Sequence, residues 1–149
     1  MQLQQTKHQP TSNIWASVIP GINATEVPDS MKIIDLVRSG LPGGTLGKVA
    51  DVFQMPKQDM YSLLHISAKT GQRAVSKRLG KDISDHLIQM IKVVYRANGI
   101  FKNSDNAMRW LKTPCYALGN QVPVQLLDTT EGMELVMNTL GRIEYGVFS

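Results

Sequence analysis

The residues best suited to do chemistry lie between His65 and Lys81. Five cations, Lys69, Arg73, Lys77, Arg78 and Lys81, occur there without a single carboxylate. Lys69, Arg73 and Lys77 recur at every fourth position, a spacing that stacks them along one face of an α-helix. Gln72 and Ser76 lie beside that row, while Ala68, Gly71, Val75 and Leu79 fall on roughly the opposite side and can face a core. An apolar back with a cationic and amide front suits a helix that enters the major groove of DNA. The cations offset phosphate charge, and Arg and Gln can pair with base edges. Lys69, Gln72, Arg73 and Lys77 are the residues of this front suited to DNA. Gly71 works against the helix, by roughly 1 kcal/mol relative to alanine.

The preceding segment, Lys57 to Leu64, has helical spacing and is joined to the basic stretch by a short turn at His65-Ile66-Ser67. Short helix, tight turn and basic helix is the helix-turn-helix order. A helical hairpin with a solvated basic face has the same pattern, so both readings stand at this point.

Signatures of catalysis are missing. His8, His65 and His86 have no metal-ligand spacing to one another. The run Gly40-Leu41-Pro42-Gly43-Gly44 resembles a phosphate-cradling loop, but no strand precedes it and the Lys-Ser/Thr pair of a P-loop is absent. It reads as a helix connector. Cys115 has no base marked beside it. The chain is expected to be a non-enzyme with no cofactor and no metal. At the other end of the sequence, Tyr145, Val147 and Phe148 follow the last helix, where burial in a small domain is difficult. Apolar and aromatic side chains in such a place point to a partner site.

These residues must be positioned by helices. Asp29 or Ser30 can cap a helix carrying Ile33, Ile34 and Val37, ended by Gly40-Leu41-Pro42. Thr45 can cap a second with Leu46, Val49, Ala50 and Phe53 inward, broken at Met55-Pro56. Met60, Leu63 and Leu64 face inward on the third, and Ser67 caps the basic helix, expected to run to about Arg78. A longer helix begins near Ser84, with Leu87, Ile88, Ile91, Val94 and Tyr95 as a buried stripe and Asn98-Gly99 as its stop. Ser104 caps a helix through Leu111, and Pro123 suits the first turn of another short one. Asp128-Thr129-Thr130-Glu131 reads as a capping box with Asp128 as the cap. The final helix buries Met133, Val136, Met137, Leu140 and Ile143. No alternating run suggests a strand, so the fold class is all-α.

The 149 residues suffice for one ordinary domain or two small ones. No apolar run approaches the ~20 residues of a membrane span, and the polar, Gln-rich first ten residues lack the apolar core of a signal peptide. One cysteine excludes a disulfide framework and fits a reducing cytoplasm. The net charge of +4 is uneven: residues 56 to 103 carry nine basic and three acidic side chains, whereas residues 104 to 149 carry three and five. A basic middle beside an acidic end suggests two surfaces with different partners. The expected organisation is a flexible tail over 1–28, a helix-turn-helix unit over 29–82, a connecting helix over 83–103 and a small helical unit over 104–149. Within the tail, Ile14, Trp15, Val18 and Ile19 form an apolar cluster expected to dock loosely or to order on binding.

The last third also carries an ordered set of motifs: Trp110-Leu111 with Pro114, Ala117-Leu118-Gly119, Pro123 with Leu126-Leu127-Asp128-Thr129, Gly132, and Arg142-Ile143 with Tyr145-Gly146. In this order they resemble the toxin-binding domain of the Xre/MbcA/ParS antitoxin family. Residues 30 to 82 are similar, more loosely, to the Xre-like helix-turn-helix region of the same family. The resemblance implies a type II antitoxin that binds and neutralises a RES-domain toxin, an NAD-degrading enzyme, and represses its own operon at operator DNA. It implies DNA contacts at Lys69, Thr70, Gln72, Arg73 and Lys77, and toxin contacts at Arg142, Tyr145, Gly146, Val147 and Phe148. Two departures stand out. Asn120 replaces an expected second glycine after Gly119, and Gly71-Gln72 stand where a stronger Arg-containing motif is usual.

Two alternatives carry different predictions. One is a helix-turn-helix transcriptional regulator whose C-terminal third only dimerises, with no toxin partner. The other keeps a protein partner and reads the basic middle as a solvated face. Either DNA-binding reading favours a homodimer, since paired recognition helices read two half-sites.

Overall fold

The computed structural model describes residues 13–146. The chain is helical throughout, with no strand among the described residues and only isolated bridges at Pro42–Arg78 and Cys115–Gln121. Val147 and Phe148, two of the expected toxin contacts, lie outside the described residues, as do residues 1–12 of the expected tail.

Helix α1 (Ile14–Val18) overturns the expectation of a loose arm for the rest of that tail. Ile14, Trp15, Val18, Ile19 and Ile22 are all buried in the main core. The Asn13 side chain accepts from Trp15 N and donates to the Glu26 carbonyl, which closes the following loop over α1. A five-residue helix is too short to be stable alone. Only tertiary burial of Trp15 and its neighbours orders it, so periodicity gave no sign.

Helix α2 (Ser30–Ser39) starts at an Asp29 cap that accepts from Lys32 N at 2.9 Å, and stops at Gly40 with φ +82°. Helix α3 (Thr45–Val52) is entered through Gly44 rather than capped by Thr45, whose side chain is buried. Helices α4 (Lys57–Leu63) and α5 (Ala68–Ala74) follow.

The spine of the molecule is α6 (Lys81–Phe101). Leu87, Ile88, Met90, Ile91, Val93, Val94 and Ala97 are buried around most of its circumference, and α1, α2, α3, α7 and α8 all pack on it. The helix continues through Asn98-Gly99, the expected stop, and ends at Lys102 with φ +58°. Ile100 and Phe101 pack against the core, and the Phe101 ring lies 6.0 Å from that of Trp110. Their burial outweighs the roughly 1 kcal/mol cost of a helical glycine. Tyr95, placed by its spacing on the buried stripe, is 41% exposed. One core runs from Ile14 to Leu140, so α6 is a shared spine rather than a linker.

Helix α7 (Ser104–Leu111) is capped by Asn103, which accepts from Asp105 N and Asn106 N, not by Ser104. Two 3-10 turns, Tyr116–Leu118 and Pro123–Asp128, lead to α8 (Thr130–Glu144). Thr129, rather than Asp128, caps α8 by accepting from Gly132 N at 2.9 Å.

Candidate DNA and toxin interfaces

The two-helix unit α4–α5 is built from a few exacting contacts. Pro56 starts α4 in extended conformation, and Met60 and Tyr61 are its buried residues. The chain reverses at His65, whose φ is +60°. Ser67 then caps α5, its hydroxyl accepting from Thr70 N at 3.0 Å. Gly71, the one buried residue of α5, rests on the Tyr61 ring: a Cβ there would fall 2.3 Å from Cε1. The glycine that weakens the helix is the residue that lets α5 approach α4.

Lys69, Thr70, Gln72 and Arg73 are all exposed on α5. Lys77 is exposed as well, but it lies beyond the helix, which ends at Ala74 rather than near Arg78. The three-cation row along one helix is thus two cations on α5 and a third on the turn that follows. Val75, expected to face a core, is 52% exposed.

That turn is held by the Gly40–Gly44 connector. Gly43 N donates to Lys77 O at 2.7 Å, and Leu79 N donates to Leu41 O at 2.8 Å. The Arg78 guanidinium donates to Gly40 O at 2.6 Å, and the buried Ser84 hydroxyl accepts from Leu41 N at 2.9 Å. A Cβ at Gly43 would lie 1.7 Å from Ala74 O. The glycine-rich run is a clasp on the end of α5, and its closeness requires residues without side chains.

Three contacts tie the α4–α5 turn, the segment before α4 and α6 to the C-terminal third. His65 Nε2 meets Asp128 O at 2.8 Å, His86 Nε2 meets Leu127 O at 2.7 Å, and Lys112 Nζ donates to Gln54 O at 2.7 Å. The two imidazoles hold successive carbonyls at the entry to α8. Sequence spacing could not show this, because the partners lie 41 and 63 residues away.

In the C-terminal third, Gly132 packs so tightly that a Cβ would lie 1.8 Å from Leu126 O. Asn120, where a second glycine was expected, adopts φ +65° after Gly119 at +67°. Asparagine tolerates this left-handed conformation, so the loop keeps a glycine-like turn. Cys115 N donates to Gln121 O at 2.9 Å and Asn120 N to Cys115 O at 2.9 Å, giving Cys115 a backbone role at the loop's neck. The loop displays Tyr116, 89% exposed. On α8, Arg142 and Tyr145 are exposed three residues apart and share a face with exposed Leu135. Gly146 follows with φ +67°. Arg96 on α6 pairs with Glu144 at 2.9 Å and fixes the end of α8. Tyr116 and Leu135 were missed from sequence, since nothing in their spacing distinguishes a displayed apolar residue from a buried one.

Among the described residues, no group of three or more His, Cys, Asp or Glu side chains could hold a metal ion. No helix of the described chain is long and apolar enough to cross a membrane.

Comparison with known proteins bears on both surfaces. A model described as the antitoxin Xre/MbcA/ParS C-terminal toxin-binding domain matches residues 96–146, and one described as the antitoxin Xre-like helix-turn-helix domain matches residues 32–92. A protein named antitoxin Xre from Photorhabdus laumondii is 30% identical over 154 residues, covering 100% of both chains. Another antitoxin Xre, from Yersinia enterocolitica, is 26% identical over 93% of each chain. A Sphingobium protein named Prs ADP-ribosylating antitoxin is 24% identical over 78% of this chain and 80% of its own. With an Xre-like helix-turn-helix unit and a toxin-binding region built on one spine, the chain belongs to the Xre/MbcA/ParS antitoxin family.

Proposed function

We propose that this antitoxin neutralises a RES-domain toxin that degrades NAD, and that it represses its own operon as a homodimer bound to operator DNA. The observation that carries the DNA half is the display of α5. Lys69, Thr70, Gln72 and Arg73 are exposed together, and Gly71 seats the helix on α4. Such a helix can offset phosphate charge and read base edges at once. Lys77 adds a phosphate contact from the following turn. The toxin half rests on the exposed end of α8. Arg142 and Tyr145 form an Arg–Tyr pair of the kind that anchors protein interfaces, and Gly146 leaves the helix beside them with φ +67°.

The test is co-expression with a RES-domain toxin in a host whose growth and NAD level are followed. The full chain is compared with one ending at Glu144, which keeps the Arg96 pair, and with Arg142→Glu. Rescue by the full chain and loss in both variants supports the toxin half of the reading. Rescue by all three keeps the antitoxin role and moves the contact elsewhere on the C-terminal region. Failure of the full chain, with both proteins soluble, refutes the RES-domain assignment.

A further inference from the structure

Helix α6 keeps a glycine where packing gives no reason for one. A Cβ at Gly99 would meet nothing within 4 Å, although a helical glycine costs roughly 1 kcal/mol against alanine. At Gly43, Gly71 and Gly132, by contrast, a Cβ would strike a neighbour. The missing side chain at Gly99 leaves room in a cleft of about 670 Å³ lined by residues of α1, α2, α6 and α8. Small-molecule pockets are of this size, about 300–1,000 Å³. Ile14, Val27, Ile33, Ile100 and Met137 give the cleft apolar walls. Arg96 and Glu144, two of its three charged residues beside Lys92, pair with each other at 2.9 Å. Among the described residues, three buried side-chain polar atoms lack a hydrogen bond, and two of them, Trp15 Nε1 and Asn98 Oδ1, belong to residues of this cleft. Trp15 is 2% exposed and Asn98 8%. Asn98 shares a face of α6 with Tyr95, whose ring lies 6.4 Å from that of Trp15. One donor and one acceptor are thus neighbours in the cleft wall, each costly to leave unpaired. Water can partner such atoms, but it gains nothing from the apolar walls.

We propose that this cleft binds a small, flat cyclic amide. A lactam carries its carbonyl and its N–H on one edge. The carbonyl accepts from Trp15 Nε1, the N–H donates to Asn98 Oδ1, and the ring fills the space left at Gly99 against the apolar walls. Both protein atoms are shielded from solvent, so binding involves a small rotation of the Asn98 amide. The helix allows it, because the cap of α6 uses the backbone carbonyl of Asn98, which accepts from Lys102 N at 2.8 Å, and not its side chain.

The test uses neither DNA nor toxin, so it fails or succeeds apart from the proposed function. The isotope-labelled full chain is titrated with 2-quinolinone, a bicyclic lactam, and with coumarin, which has the same shape but an oxygen in place of the N–H. The chain has two tryptophans, so nuclear magnetic resonance shows two indole signals, which Trp110→Phe assigns. The Trp15 signal is expected to shift saturably with 2-quinolinone, with a dissociation constant on the order of 0.1–1 mM for a fragment of this size, while that of Trp110 stays in place. Coumarin, lacking the donor, binds roughly tenfold more weakly. Asn98→Leu, close to asparagine in volume, removes the difference between the two compounds. Gly99→Leu fills the cleft and abolishes binding with no fall in Tm, since leucine is the better helix former. A Trp15 signal unmoved by 2-quinolinone overturns the proposal. So does coumarin binding as tightly as the lactam, a preference that survives Asn98→Leu, or binding that survives Gly99→Leu.

Discussion

Alanine in place of glycine at two helical positions should act with opposite sign, and the reason lies in one contact. Gly99 sits in α6, and a Cβ there would meet nothing within 4 Å. Gly99→Ala should therefore gain the full helix preference, roughly 0.8–1 kcal/mol. For a chain of this size that raises Tm by about 2–4 °C. Gly71→Ala gains the same preference in α5, but its Cβ would fall 2.3 Å from Tyr61 Cε1 and 2.5 Å from Cζ. Tyr61 is only 6% exposed, so its ring has little room to swing away. Overpacking of this kind costs roughly 1–3 kcal/mol. The net effect runs from near zero to about 2 kcal/mol destabilising, a fall of up to a few degrees. The displacement of α5 should be felt more strongly than the stability change, so operator affinity drops by more than Tm suggests. Paired thermal melts and DNA titrations of the two variants make the test. If Gly71→Ala stabilises the protein as Gly99→Ala does and leaves DNA binding intact, α5 is not seated on Tyr61 and the account of the glycine is wrong.

Other outcomes follow from the same structure. Lys69→Ala with Arg73→Ala should flatten the slope of log affinity against log salt by roughly 1.8, about 0.9 for each phosphate that is no longer neutralised; an unchanged slope removes α5 from the DNA interface. Gly132→Ala would force a Cβ to 1.8 Å from a backbone carbonyl that cannot rotate away, so a destabilisation of about 3 kcal/mol or more is expected in denaturant titration. Trp15→Ala should cost about 3 kcal/mol, the low end for a buried tryptophan. Its Nε1 is buried without a partner, so Trp15→Phe, which removes that donor, should be far milder in the same titration. Equal, negligible effects for both would return α1 to the status of a loose arm.

The helical class, the helix-turn-helix order and the caps at Asp29 and Ser67 were legible in the sequence. Each depends on neighbours within a turn or two of chain, where spacing and side-chain chemistry decide the outcome. Helix ends were less legible. Asn98-Gly99 looked like a stop, yet α6 passes through because Ile100 and Phe101 find the core and Trp110 beyond it. Arg78 looked like the end of the basic helix, yet the Gly40–Gly44 clasp takes hold of Lys77 and Leu79 and leaves α5 at Ala74. Thr45, Ser104 and Asp128 were plausible caps with a suitable neighbour one residue away, and local chemistry does not rank such neighbours.

What the sequence by itself determined was the kind of each element and the surface chemistry of α5, because a helix's amphipathicity is written in its own few turns. Tertiary structure alone decided which apolar residues are core and which are display. Trp15 is buried because α6 and the loop closed by Asn13 surround it, whereas Met31, Tyr116 and Leu135 stay in water because nothing in the described chain reaches them. It also decided that His65 and His86 hold the entry to α8. Hydrophobic burial has no direction and depends on area removed from water. Its outcome at a given residue is set by segments far away in the chain, and no local pattern can encode it.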